Sequence, residues 1–222
     1  MGVQLMNEYD VFVSVGEVFA EHQETFVHAV EERLRSEGLI PHTVGRNTFG
    51  ADAPLKTITE LMRTCTGVVV IALERCYIVS GSERRGGDNE TRLADVKLAT
   101  PWNQVEAAMA YSRGLPLMVI VEVGVKNEGL LARGYDWYVQ VVKPEPAALN
   151  SSEFNGVLAS WKQKVVKGSV EGAVDRHLDL DKMSFFDLIR SLKTSHLWSV
   201  LSALSAIVAG AFVLGSKLAG AK

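Results

Sequence analysis

No surplus of positive charge is present in this 222-residue sequence: 23 Lys and Arg face 26 Asp and Glu, for a formal net charge of -3. A chain without that surplus is poorly equipped to neutralise a phosphate backbone, which argues against nucleic acid as a partner. Cysteine is nearly absent as well. Cys65 and Cys76 have no CxxC spacing and no histidine cluster near them, so a disulfide framework and a zinc site are both disfavoured and the two read as free core thiols. The five histidines, His22, His28, His42, His177 and His196, fall in no ligand or triad spacing, and no metal site is expected. The first eight residues lack the apolar run of a secretory signal, which predicts that the main domain stays in the cytoplasm. Internal repeats and low-complexity tracts are also missing.

What is present is 47% hydrophobic residues, enough for one ordinary domain with an appendage. The appendage lies at the C-terminus. Between Thr194 and Ser216 there is no Asp, Glu, Lys or Arg. That length matches the roughly 20 residues a helix needs to cross a bilayer core. Arg190, Lys193 and Trp198 lie at one end and Lys217 and Lys222 at the other, the flanking pattern of a membrane span. A buried or amphipathic helix is the competing reading. Small residues recur four apart, as in Ala206 and Gly210 or Ala211 and Gly215, a spacing that lets two helices approach closely and self-associate.

Hydrophobic runs alternate with helical patterns through the rest of the chain. Tyr9–Val15, Leu39–Val44, Gly67–Leu73, Leu115–Val123 and Tyr135–Val142 read as strands, two of them continuously apolar as in sheets covered on both faces. Helices are expected over Glu24–Glu37, Pro54–Met62 and Trp102–Ser112, the last opened by Thr100 and Pro101, and another from Ser151 or Ser152 carrying Phe154, Leu158, Trp161 and Val165. Ser80–Ala99 is polar and glycine-bearing and reads as an exposed loop. The expected class is α/β, a flavodoxin-like five-stranded parallel sheet flanked by helices and followed by a single C-terminal transmembrane helix. The expected organisation is an α/β domain over 1–166, a linker with a short amphipathic helix over 167–193, a span over 194–217 and a tail over 218–222.

Ligands of open parallel sheets collect beyond the carboxyl ends of the strands. The segments to inspect are therefore Ser14–Glu17, Gly45–Asp52, Glu74–Tyr77 and the helix start at Trp102, where Glu106 follows one turn later.

Two of these segments carry motifs. Tyr9-Asp10-Val11-Phe12-Val13-Ser14 resembles the first box of the Toll/interleukin-1 receptor (TIR) domains and their bacterial TIR-like relatives, a strand of the form YDVFxS. Thr100-Pro101-Trp102-Asn103-Gln104-Val105-Glu106 is similar to that family's S-x-W-C-x-x-E, and Gly45 through Pro54 occupies the place of the loop after its second strand. The resemblance covers about residues 8 to 166. It departs at Val15, at Asn103 in place of cysteine, and in a longer 80–99 segment. Nucleoside deoxyribosyltransferases share the architecture and also use a glutamate near the corresponding helix.

The resemblance implies cleavage of the N-ribosyl bond of NAD, with NAD as substrate rather than cofactor. It implies Glu106 as the catalytic carboxylate, Trp102 as an aromatic wall, and Ser14, Gly16, Arg46 and Asn103 as nucleotide-binding residues. It further implies a membrane-tethered NAD glycohydrolase or NAD-processing enzyme, activated by homo-oligomeric assembly in antiviral defence or signalling. Each residue has a plainer role beside this one: Glu106 as a first-turn glutamate favoured by the helix dipole, Trp102 as a core cap, Arg46 as half of a surface ion pair. Two other functions stay open. One is a non-enzymatic nucleotide-sensing or interaction module whose clustered tails perturb the membrane; the other is a deoxyribosyltransferase-like nucleotide hydrolase.

Overall fold

The computed structural model describes residues 8–51 and 53–176, with side chains described as far as 169. The expected amphipathic helix over Ser184–Leu192, the span over 194–217 and the tail over 218–222 lie outside the described residues. Among the described residues no helix is long and apolar enough to cross a membrane.

Among the described residues, seven strands and four α-helices follow one another along the chain. They are β1 Tyr9–Val15, α1 Glu21–Ser36, β2 Leu39–His42, α2 Pro54–Thr64, β3 Gly67–Ala72, β4 Cys76–Glu83, β5 Thr91–Leu98, α3 Pro101–Ser112, β6 Leu117–Glu122, β7 Tyr138–Val142 and α4 Ser152–Arg176. Five strands form one sheet in the order β2-β1-β3-β6-β7, every neighbouring pair parallel. Counted without β4 and β5 that order is 2-1-3-4-5, the strand order also found in flavodoxin-like doubly wound sheets. The protein is thus an α/β fold with a five-stranded parallel sheet flanked by helices.

The sequence accounts for the layers. Every residue of β3 (GVVVIA) and β6 (LMVIVE) is buried, so alternate side chains feed two separate cores. Val11, Val13, Val69, Ile71, Met118 and Ile120 face α1 and α4, where Phe26, Val30, Phe154, Leu158 and Trp161 complete the packing. Phe12, Val68, Val70, Val119 and Val121 face α2 and α3, against Ile58, Met62, Ala107 and Ala110. From β1 the chain crosses to β2 on one side, then returns past β1 to β3 and continues the other way. The carboxyl ends of β1 and β3 therefore flank the place where the winding reverses, the usual ligand crevice of such sheets.

Gly67 is fixed by close packing at the start of β3. A Cβ there would lie 2.6 Å from Val165 Cγ2 and 2.9 Å from Trp161 Cζ2 on α4. Gly67→Ala is expected to cost about 1–3 kcal/mol through overpacking, read as a lower urea midpoint with an unchanged slope. An unaltered midpoint would mean that α4 sits further from the sheet.

Several expectations need correction. Ser80–Ala99 is not a loop: β4 and β5 pair antiparallel from Cys76↔Leu98 to Glu83↔Thr91, a hairpin inserted between β3 and α3. Its residues are mostly exposed on both faces, so no core-facing stripe marks it in the sequence. Cys76 opens that hairpin and is exposed, whereas Cys65 is buried at the end of α2, where burial pushes its thiol up to about 12. β2 stops at His42, two residues early, because the chain turns at Thr43, whose carbonyl accepts from the amides of Arg46, Asn47 and Thr48. α4 runs past Gly168 to Arg176, through the start of the expected linker. Gly168 and Gly172 each cost only about 1 kcal/mol in a helix interior, too little to end a helix anchored by Trp161 and Val165.

Candidate active site at the β1 and β3 strand ends

The start of α3 sits over the switch point because its first turn is tied to both strands. Thr100 caps the helix, its Oγ1 accepting from the Trp102 amide at 3.4 Å, and Pro101 takes the first position, where a missing N–H costs nothing. Asn103 is buried and reaches down to the sheet. Its Nδ2 donates to Ser14 Oγ at 2.9 Å and lies 3.4 Å from the Ser14 carbonyl and 3.5 Å from the Ile71 carbonyl. Ser14 belongs to β1 and Ile71 to β3, so one amide bridges the two strands where they part. Gly16 lets the chain after β1 pass beneath the cap, since a Cβ there would meet Thr100 Cγ2 at 2.9 Å.

Glu106 follows Asn103 by three residues and thus shares its face of α3. Only 7% of it is exposed. Burial pushes its carboxyl up to about 7, while a hydrogen bond from the Ser14 hydroxyl pulls the other way; burial wins. No charged side chain contributes to that shift. A buried carboxyl poised near neutrality on the helix that stands over the switch point is the arrangement expected of a group that changes protonation or faces positive charge during a reaction.

Asn103 is hydrogen-bonded to Ser14, whose hydroxyl also bears on Glu106, and Gly16 lines one cleft with Asn103, whereas Arg46 is committed elsewhere. Arg46, expected to be free for a phosphate, has its guanidinium committed to α1: two hydrogen bonds to Glu24 at 2.7 and 2.9 Å and one to Glu31 at 3.4 Å. The Glu24 bonds hold its charge more firmly than usual, and the buried carboxylate of Glu31 is shared between Arg46 and Arg35. Of the two roles weighed for it, the geometry is that of the ion pair. Trp102 is 44% exposed at the head of α3, so its indole is no core cap; it stands at the rim, open to a ligand face.

The crevice is narrow. The cleft between Gly16, Glu74, Arg75, Thr100 and Asn103 holds ≈ 10 Å³, about the room of one water. Asn103 Oδ1 is buried there without a partner among the described residues. A wider groove of ≈ 380 Å³ lies by the amino end of β6, between Tyr111, Trp137 and Lys164, with no buried carboxyl among its lining residues. Size favours that groove; the switch-point position and the unpaired buried acceptor of Asn103 favour the crevice, although Glu106 is not among the residues that line it. Among the described residues no group of three or more His, Cys, Asp or Glu is placed to hold a metal ion.

A charged clamp beside the crevice escaped sequence reasoning. Lys97 on β5 reaches Glu74 at 2.8 Å and Glu122 at 2.9 Å, and Glu122 also accepts from the Glu74 amide at 2.8 Å. Lys126 bonds Glu83 of β4 at 2.9 Å and Glu128 at 2.7 Å. Together they fasten the hairpin to the ends of β3 and β6. The one available signal was Glu122 closing an otherwise apolar strand run.

No family model matches the chain, and no curated protein matches it. Among solved structures it is similar to a CMP N-glycosidase of Clostridium botulinum, at 12% identity and a TM-score of 0.40 over 63% of this chain and 92% of that one. It is also similar to a flavodiiron core protein of Synechocystis, at 13% identity and a TM-score of 0.40 over 74% of this chain and 37% of that one. A third is the sugar isomerase domain of an RpiR transcription factor from Sphaerobacter thermophilus, at 15% identity and a TM-score of 0.38 over 77% and 80%. Likenesses this loose assign no activity, since one architecture hosts many.

Proposed function

We propose that the domain is an N-glycosidase of nucleotides, with NAD as the first substrate to test. The reading is carried by one observation, the buried Glu106 carboxyl held near neutrality at the carboxyl ends of β1 and β3. Breaking the C1′–N bond sends its electron pair onto the base and leaves an oxocarbenium-like sugar, which water then captures at C1′. An ionised carboxylate beside C1′ stabilises that cation or captures it covalently, and a dry site strengthens the attraction. Asn103 Oδ1, the unpaired acceptor, takes a sugar hydroxyl, and Trp102 covers the base from the rim. Nucleotide entry needs the chain after β1 or the hairpin base to move, because the closed crevice admits little more than water. The expected span over 194–217, free of charge from Thr194 to Ser216, then holds the domain at a bilayer, where side-by-side tails raise its local concentration.

The ionised form is the working one in this scheme, so kcat/KM rises as pH passes through about 7 and levels off above it. The test is free nicotinamide released from NAD by the full chain, in detergent and on liposomes, across that range. A CMP arm and a 2′-deoxynucleotide arm locate the substrate class. Absence of base release from every nucleotide on crowded liposomes, or a profile that falls through pH 7, defeats the proposal.

A further inference from the structure

Gly81 stands in the interior of β4 for no reason that its own chain supplies. A Cβ there would lie 3.5 Å from Ile78 Cγ2 and 4.0 Å from Leu93 Cβ, ordinary contacts, and its φ lies outside the left-handed region. A glycine inside a strand costs backbone entropy and forfeits packing, and it often marks the close approach of another chain. The strand around it is unguarded. From Cys76 to Ser82 it carries no charge and no proline, the usual protections of a sheet edge, and Val79 is 69% exposed. Its partner β5 has its other edge tied to the domain, by the Lys97–Val125 bridge and the Lys126 amide on the Lys97 carbonyl. Among the described residues β4 is therefore the open edge of this two-stranded sheet.

We propose that β4 pairs antiparallel with β4 of a second copy about a two-fold axis at Val79, joining two hairpins into one four-stranded sheet. Such pairing sets each residue opposite the one equally far beyond the axis, and in this register the strand complements itself. Val79 meets its own copy, Tyr77 meets Gly81, and Arg75, one residue before the strand, meets Glu83. The Tyr77 hydroxyl donates to Asp95 on β5, which keeps the ring over the sheet, and the absent side chain of Gly81 leaves that ring its place. Glu83 holds Lys126 at 2.9 Å, and a carboxylate with two oxygens has room for a second cation. Neither neighbouring register does as well. An axis at Ser80 opposes Arg75 to Arg85, and an axis at Ile78 opposes Glu83 to Leu73 and Arg75 to Gly81. Arg75 also lines the cleft beside Asn103, so the second copy reaches the border of the candidate site, whichever reaction that site performs.

Disulfide trapping in the full chain, in detergent and on liposomes, tests both the contact and its register without any substrate. Cys76→Ser removes the exposed native thiol, and Val79→Cys then puts two thiols face to face on the axis, with Cα atoms about 4.5–5.5 Å apart, within reach of a disulfide. A covalent dimer on a non-reducing gel is the expected result. Arg92→Cys in the same background lies on β5, three strand spacings or at least about 14 Å from its copy, and is expected to give none. With the native Cys76 kept, Ser82→Cys is expected to link as well, because the register sets those two positions opposite. Gly81→Val is expected to lower the Val79→Cys dimer about tenfold by filling the place of the Tyr77 ring, and adding Tyr77→Ala to restore it. Arg75→Glu, which sets two carboxylates against each other, is expected to lower the dimer too and serves if the valine disturbs the hairpin. No link at position 79 overturns the proposal, as do equal links at 79 and 92, the result of dimers held by the tails alone. A Val79→Cys dimer indifferent to both Gly81→Val and Arg75→Glu overturns the register.

Discussion

Glu106→Gln is expected to lower base release by about 10²–10⁴-fold and, at pH 8, to stabilise the fold by about 2–3 kcal/mol. The two effects have one origin. In the unfolded chain a glutamate titrates near 4.5, whereas in the native crevice the proton is held until about 7. Between those values the native state binds a proton that the unfolded state has released, so stability falls as pH rises through the window. Above pH 7 the wild-type protein carries the full cost of a charge in a dry place; below 4.5 it carries none. Glutamine never carries it. Thermal unfolding should show the variant melting higher by roughly 5–10 °C above pH 7 and converging with wild type in acid. A variant that is neutral or less stable at pH 8 would show that the carboxyl is well solvated, and the catalytic assignment would lose its basis.

Lys97→Met is expected to destabilise by about 2–3 kcal/mol at neutral pH, a drop of roughly 5–10 °C in melting temperature. Glu122 is 4% exposed, and the lysine is its only cation among the ion pairs of the described residues. Without it a buried carboxylate keeps just the Glu74 amide. Adding Glu122→Gln to Lys97→Met should restore most of the stability, since no unpaired charge then remains inside. A single variant within about 0.5 kcal/mol of wild type would reduce the clamp to an ordinary surface pair.

The parallel sheet was legible because burial on both faces writes itself into the chain as unbroken runs such as Gly67–Ala72 and Leu117–Val121. The hairpin was not. Its strands bury little, and what secures them is a set of partners far off in sequence, Lys97 with Glu122 and Lys126 with Glu83, which no local pattern displays. The site divides the same way. The resemblance to TIR-like domains implied Ser14, Asn103 and Glu106 as parts of one site, but Asn103 spends its amide nitrogen on the protein, with Nδ2 toward Ser14. Arg46 was undecided in sequence because Glu24 and Glu31, seven apart and hence on one face of α1, meet it only after β2 folds back.

Cys76 and Leu98 stand opposite each other where the hairpin leaves and rejoins the domain. The excursion of more than twenty residues therefore departs from and returns to a single point, with a gap of about 5 Å between its ends. Topologically it is a sleeve sewn onto the crossover rather than a part of the weave. Its tip beyond Glu83 and Thr91 can lengthen, shorten or change composition across evolution without altering the path from β3 to the helix that carries the acid.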